Sequence, residues 1–174
     1  MRLDLEGAKA ILRRTPDVVD ALLRGLPDPW VHENEGPDTW SSFDVVGHLI
    51  VAEATNWIPR VRHLIAHGES LVFPPFDRFG FAETAKGKGM TELLDAFRVA
   101  RARSLRELGT MELTPGHLDR TGRHPEFGAA TLGQLLATWA VHDLNHVGQI
   151  VDVLARRHAE AVGPWRAYLG ILER

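Results

Sequence analysis

Leu132, Leu135, Leu136, Trp139, Ile150 and Val153 recur at three- and four-residue steps through TLGQLLATWAVHDLNHVGQIVDVLARRH, and this spacing predicts one long amphipathic helix over 131–158. Two histidines, His142 and His146, fall on its apolar face. Thr131 and Gln134 form a capping-box pattern at its start. The same reading applied upstream predicts a short helix over 3–13 (Leu3, Ala8, Ile11, Leu12). A second helix of about ten residues follows, with Thr15 as N-cap, Pro16 in the first position and Asp17 in the first turn, ending near Gly25. Ser41 and Asp44 repeat the capping box and open a long helix over 42–67 that Gly68 ends. A further helix over 91–108 turns Leu93, Leu94, Phe97, Ala100 and Leu105 inward and its arginines outward.

Between these lie connections rich in proline and glycine, at 26–40, 68–90 and 109–130. Trp30 and Trp40 are expected to anchor the first onto the helices. The aromatic residues of 68–90 either pack or cover a functional mouth. Gly163-Pro164 breaks the chain before a short terminal helix, and no strand pattern or internal repeat is visible. The expected fold is all-α: a single domain over 1–174, built as a four-helix bundle with long crossover loops and short extra terminal helices.

Composition narrows the chemistry. The formal charge of the 174-residue chain is -3 with basic and acidic residues interspersed, so there is no basic stripe for nucleic acid. No apolar run approaches the roughly 20 residues that span a bilayer. The opening MRLDLEGAKAILRR resembles neither a secretory nor a transit signal, and a cytoplasmic location is expected. There is no cysteine, which excludes disulfides, thiolate metal sites and cysteine nucleophiles. Any thiol chemistry must use a thiol from outside.

Four residues advance a helix by about 6 Å and turn it by roughly 40°, so both imidazoles of His142 and His146 can meet one ion. One histidine on an apolar face is more often a hydrogen-bonded core residue; two at metal spacing weigh the readings evenly. His48 stands two turns into the 42–67 helix. Ala52, then Thr55 and Asn56, follow on its face as small or polar residues that leave room beside an ion, and Gly47 permits a close neighbour. Three neutral imidazoles with an open position suit zinc or nickel. Glu53 lies about 140° around the helix from His48 and should point elsewhere, as a bundle or surface carboxylate. Asp143 or Asn145 can orient an imidazole, Asn145 being expected to face outward, and Gln149 follows His146 on nearly the same side. His63 and His67 share the four-residue spacing, but beside Arg60 and Arg62 at a helix C-terminus they read as helix-end residues. His32, His117, His124 and His158 read as solvated, with His124 in reach of the site mouth.

Together WSSFDVVGHL (40–49), HPEFGAATLGQLLATW (124–139) and HDLNHVGQI (142–150) resemble the DinB-like metalloprotein superfamily, over about 15–157. The motif of that family, a lone histidine early in the second bundle helix and H-x-x-x-H in the last, maps onto His48, His142 and His146. The resemblance implies an up-down-down-up four-helix bundle, often a homodimer, holding zinc or nickel. It also implies activities that use low-molecular-weight thiols, as in bacillithiol or mycothiol transferases. The expected function is therefore a metal-dependent transferase that joins a small-molecule thiol to an electrophile. Two alternatives stand beside it: a metal-dependent hydrolase, and a non-catalytic, stress-related metal-binding or scaffold protein. No catalytic residue beyond the ligands is assigned.

Overall fold

The computed structural model describes residues 3–173. Its first helix, α1, spans Leu5–Leu23 without interruption, where two helices separated at Thr15 are expected. Asp4 caps it, accepting from the Gly7 amide at 2.9 Å. Thr15 is no N-cap: its hydroxyl donates back to the Ile11 carbonyl at 3.2 Å. Pro16 sits inside the helix and cannot supply the amide that the Leu12 carbonyl would normally accept. That carbonyl instead accepts from the Arg101 guanidinium at 2.8 Å. The proline is tolerated because a side chain from another helix satisfies the carbonyl it leaves open.

A single turn, α2 (Asp28–His32), precedes α3 (Ser42–Thr55). The capping box is formed as expected: Ser41 accepts from the Asp44 amide at 3.2 Å while Asp44 accepts from the Ser41 amide at 3.0 Å. The expected continuous helix over 42–67 is two, because the chain breaks at Asn56 before α4 (Trp57–His67). Pro59 lies in the first turn of α4, and its ring cannot follow a continuous helical ladder past the Thr55 carbonyl. The short α5 (Phe81–Ala85) packs on α3 where Gly47 offers no side chain; a Cβ there would meet the Phe81 Cβ at 3.1 Å. Next come α6 (Met90–Thr110) and the turn α7 (Pro115–Leu118).

A hairpin of β1 (Thr121–His124) and β2 (Gly128–Thr131) occupies the stretch expected to be loop, in the register Thr121↔Thr131 to His124↔Gly128. At four residues each, the strands are too short to leave a periodic signal. Their position is set by tertiary contact: the Phe73 amide donates to the Arg123 carbonyl at 2.9 Å, and a Cβ at Gly122 would meet the Phe73 ring at 2.8 Å. Helix α8 (Leu132–Arg156) starts at the expected Thr131/Gln134 capping box. Two short 3₁₀ turns, Gly163–Tyr168 and Gly170–Glu173, finish the chain, and Leu172 tucks into the bundle.

The four principal rods are α1, α3 continued by α4, α6 and α8. Their core has two apolar regions. One gathers Leu12, Trp57, Val61, Leu64, Leu132, Leu136 and Trp139; the other gathers Val19, Leu23, Val45, Leu49, Leu93, Phe97 and Ile150. At the level between them every rod contributes to a buried polar cluster around Arg101. Its guanidinium donates to both oxygens of Asp143 at 2.5 and 3.0 Å, to one oxygen of Glu53 at 2.7 and 3.0 Å, and to the Leu12 carbonyl. The Trp139 indole donates to the same Glu53 oxygen at 3.0 Å. The expectation that the arginines of α6 face outward therefore fails at Arg101, which is 2% exposed. Two carboxylates and a carbonyl make that burial tolerable.

Candidate metal centre

His48 occupies the second turn of α3, and His142 and His146 occupy consecutive turns of α8. The Nε2 atoms converge: that of His142 lies 3.1 Å from Nε2 of His48 and 3.2 Å from Nε2 of His146. Among the described residues this is the one group of three histidine or carboxylate side chains whose ligand atoms come close enough, all within 4.8 Å, to hold one ion.

The outer ring nitrogens decide what those inner atoms are. His48 Nδ1 lies 3.2 Å from the Arg78 carbonyl, which can only accept, so the proton sits on Nδ1 and Nε2 presents a lone pair. His146 Nδ1 lies 2.9 Å from Gln149 Oε1 and is fixed in the same tautomer. His142 Nδ1 is buried without a protein partner, so its Nε2 contacts to the other two rings are the ones the structure gives it. A single proton on His142 Nε2 can be shared between two lone pairs at best, whereas a cation satisfies all three. An ion with bonds of about 2.0–2.1 Å to nitrogen spaces its ligand atoms about 3.0 Å apart at right angles and about 3.3 Å in a tetrahedron. The separations of His142 Nε2 from the other two fall in that interval. The residues fit a divalent metal.

Burial keeps the rings neutral. Desolvation pushes His48 down to about 4, helped by the neighbouring His146 and opposed by the hydrogen bond to Arg78. His142 falls to about 3 from desolvation and from the proximity of His146 and His48. His146 is also lowered by burial, with Gln149 acting in the opposite direction. Neutral imidazole is the ligating form.

Aromatic rings wall the centre. Trp40 lies 4.8 Å from the His48 ring and stacks at 6.0 Å on His146; Phe76 approaches His48 at 5.6 Å and Trp57 approaches His142 at 5.0 Å. Trp40 meets Phe81 at 5.1 Å, so the 68–90 connection both packs and forms part of the wall. Trp30 anchors elsewhere, against His158. One side stays open: a cleft of about 810 Å³ reaches His48 and His146 and is lined also by Trp40, Arg78, Asn145 and Gln149.

The other expected site residues divide. Gln149 touches the His146 ring and Asn145 lines the cleft. Asp143 does neither, because Arg101 takes both its oxygens. Ala52 is packed in the core and Asn56 ends α3, and neither lines the cleft; they lie one and two turns further along α3 than His48, beyond the reach of the cleft mouth. Glu53 points away from the histidines, into the Arg101 cluster. His63 binds the Leu71 carbonyl at 3.0 Å and stands 4.8 Å ring to ring from His67, with no third ligand. His124 stacks on Phe127 at 4.6 Å and does not line the cleft. The role of Arg78 left no sequence signal, because it is the backbone carbonyl that orients His48, and any residue carries one.

Fold and site define a class: a bundle that gathers three histidines from two of its rods at the mouth of a cleft, positioned to hold a metal ion. Residues 11–150 match the family model of the DinB superfamily, and the chain belongs to that superfamily. Among solved structures it is similar to YfiT from Bacillus subtilis, described as a probable metal-dependent hydrolase with an unusual four-helix bundle topology. That likeness has a TM-score of 0.74 at 20% identity and covers 88% of this chain and 87% of the other. No curated protein sequence matches. Among the described residues no helix is long and apolar enough to cross a membrane.

Proposed function

We propose that the protein is a metal-dependent enzyme in which His48, His142 and His146 hold one zinc or nickel ion and a low-molecular-weight thiol is activated at the open side. The observation that carries this reading is the convergence of three Nε2 atoms whose outer nitrogens, at His48 and His146, are already committed to acceptors. A bound ion supplies Lewis acidity: three neutral ligands leave its charge undiminished, which lowers the pKa of a thiol or water that meets it. The chain's own residues do the rest. Gln149 and the Arg78 carbonyl orient two of the rings. Trp40 and Phe76 shield the ligands from water, and the cleft admits the small molecule. The absence of cysteine supports an external thiol, because no side chain competes as a sulfur ligand.

Hydrolysis is the second reading, and the description of YfiT favours it. Water in place of thiol at the same position uses the same ligands.

Elemental analysis after metal loading tests the site. Replacing His48, His142 or His146 by alanine should remove most of the metal, while H63A/H67A should retain it and lose only about 0.3–1 kcal/mol per helix-end histidine. Metal that stays in the triple variant, or leaves with the His63 and His67 pair, would place the centre elsewhere. Cobalt substitution then separates the two readings. A sulfur-to-metal charge-transfer band on adding a small thiol supports the transferase, and silence toward all small thiols supports the hydrolase.

A further inference from the structure

The cationic side chains of the cleft differ in their partners, and the difference bears on what enters it. Two arginines line it, Arg78 and Arg156. Arg156 is engaged by Glu35 across the cleft rim. Arg78 has no carboxylate partner among the described residues; its guanidinium rests 5.1 Å over the exposed Phe79 ring. Its backbone is fixed to the centre, because its carbonyl receives the His48 Nδ1 proton at 3.2 Å. The acids are placed differently. Glu35 and Asp38 belong to the connection before α3, and Asp152 lies six residues beyond His146 on α8, about 9 Å further along the helix axis. An unneutralised cation thus accompanies a proposed metal ligand.

We propose that the Arg78 guanidinium anchors an anionic group of the small molecule that meets the ion, so that compounds carrying a carboxylate a few bonds from their metal-binding atom are the preferred ligands of the cleft. The planar fork of arginine suits a two-oxygen anion. Its perch on Phe79 holds it at the rim without consuming its hydrogen-bond donors. This inference rests on the proposed metal site and names the substrate class for it.

The test uses the full chain loaded with cobalt, as wild type, R78Q and R78K, each first checked for equal metal content. Each is titrated with 3-mercaptopropionate and with 2-mercaptoethanol, following the charge-transfer band. Each is also titrated calorimetrically with propionate, which lacks sulfur. The wild type should bind 3-mercaptopropionate about tenfold more tightly than 2-mercaptoethanol, since one charge-assisted contact at an exposed site is worth about that factor. R78Q should bring the ratio near one, R78K should keep part of it, and added salt should shrink it. Equal affinity for the two thiols in the wild type, or an undiminished preference in R78Q, overturns the proposal. If no thiol produces a band, the thiol reading of the site fails, and the propionate titration decides Arg78 alone: about tenfold weaker binding by R78Q supports the anchor, and unchanged binding refutes it. Loss of metal on loading would instead refute the site itself.

Discussion

A metal-binding histidine must be neutral, and each of the three histidines positioned to hold an ion is kept so by the dehydration of its ring. The consequence for stability has a definite sign. Above pH 6.5 the rings are uncharged in both the folded and unfolded chain and contribute nothing. Below it the unfolded chain takes up protons that the native one refuses, until the native values of about 4 for His48 and about 3 for His142 are reached. The metal-free protein should therefore lose stability as the pH falls from 6.5 toward 4. Urea midpoints at pH 7.5 and 5 measure this, and a double replacement of His48 and His142 by glutamine should flatten the difference. A midpoint that rises on acidification would show the rings to be less buried than described. At Arg101 the stakes are those of a buried charge. Arg101→Ala would strand Glu53 and Asp143, both fully buried, and should cost about 3–5 kcal/mol. The exposed Arg62, paired with Glu107, should cost under about 1 kcal/mol when replaced in the same way. Denaturant unfolding of the two variants gives the comparison.

Among the elements, the helix starts are set by local chemistry and the helix interruptions by proline. Ser41 caps α3 about two turns before His48, so the cap fixes the depth at which that histidine enters the bundle. Ser41→Ala should cost about 1 kcal/mol, read as a shift in denaturant midpoint with an unchanged slope. A change in slope would mean that the start of α3 had unravelled. The two prolines act oppositely. Pro59 breaks a helix because nothing replaces the ladder it interrupts, while Pro16 is carried inside α1 because Arg101 takes up the Leu12 carbonyl. The hairpin Thr121–Thr131 closes over Phe73, covering the far end of α4.

For the whole molecule, α3 and α8 are held in register by the Arg101 cluster on one side and by the three histidines on the other. An ion bound only by the native arrangement raises stability by mass action, about 2.7 kcal/mol at a hundredfold excess over its dissociation constant. Zinc should raise the Tm of the wild type and leave that of His142→Ala nearly unchanged, as scanning calorimetry can measure. An equal rise in both would mean that zinc binds outside the triad.

The sequence by itself determined the parts of this protein that depend on neighbours along the chain. Capping at Ser41 and Thr131, the apolar stripe of α8 and the placing of His142 and His146 one turn apart follow from bonds three or four residues long, which a linear pattern records. His48 was legible as a third candidate because of the family motif and the small or polar residues after it, and Glu53 as pointing elsewhere because of its angle on the helix. Tertiary structure alone decided the rest. Whether Pro16 ends a helix depends on a donor 85 residues away on α6. Whether Asp143 serves a histidine or an arginine depends on which of two buried groups reaches it. That Ala52 and Asn56 miss the cleft follows from where along α3 the cleft opens, and that Arg78 meets His48 follows from how a loop lies across α3. Each is a choice between long-range partners, which local periodicity does not encode.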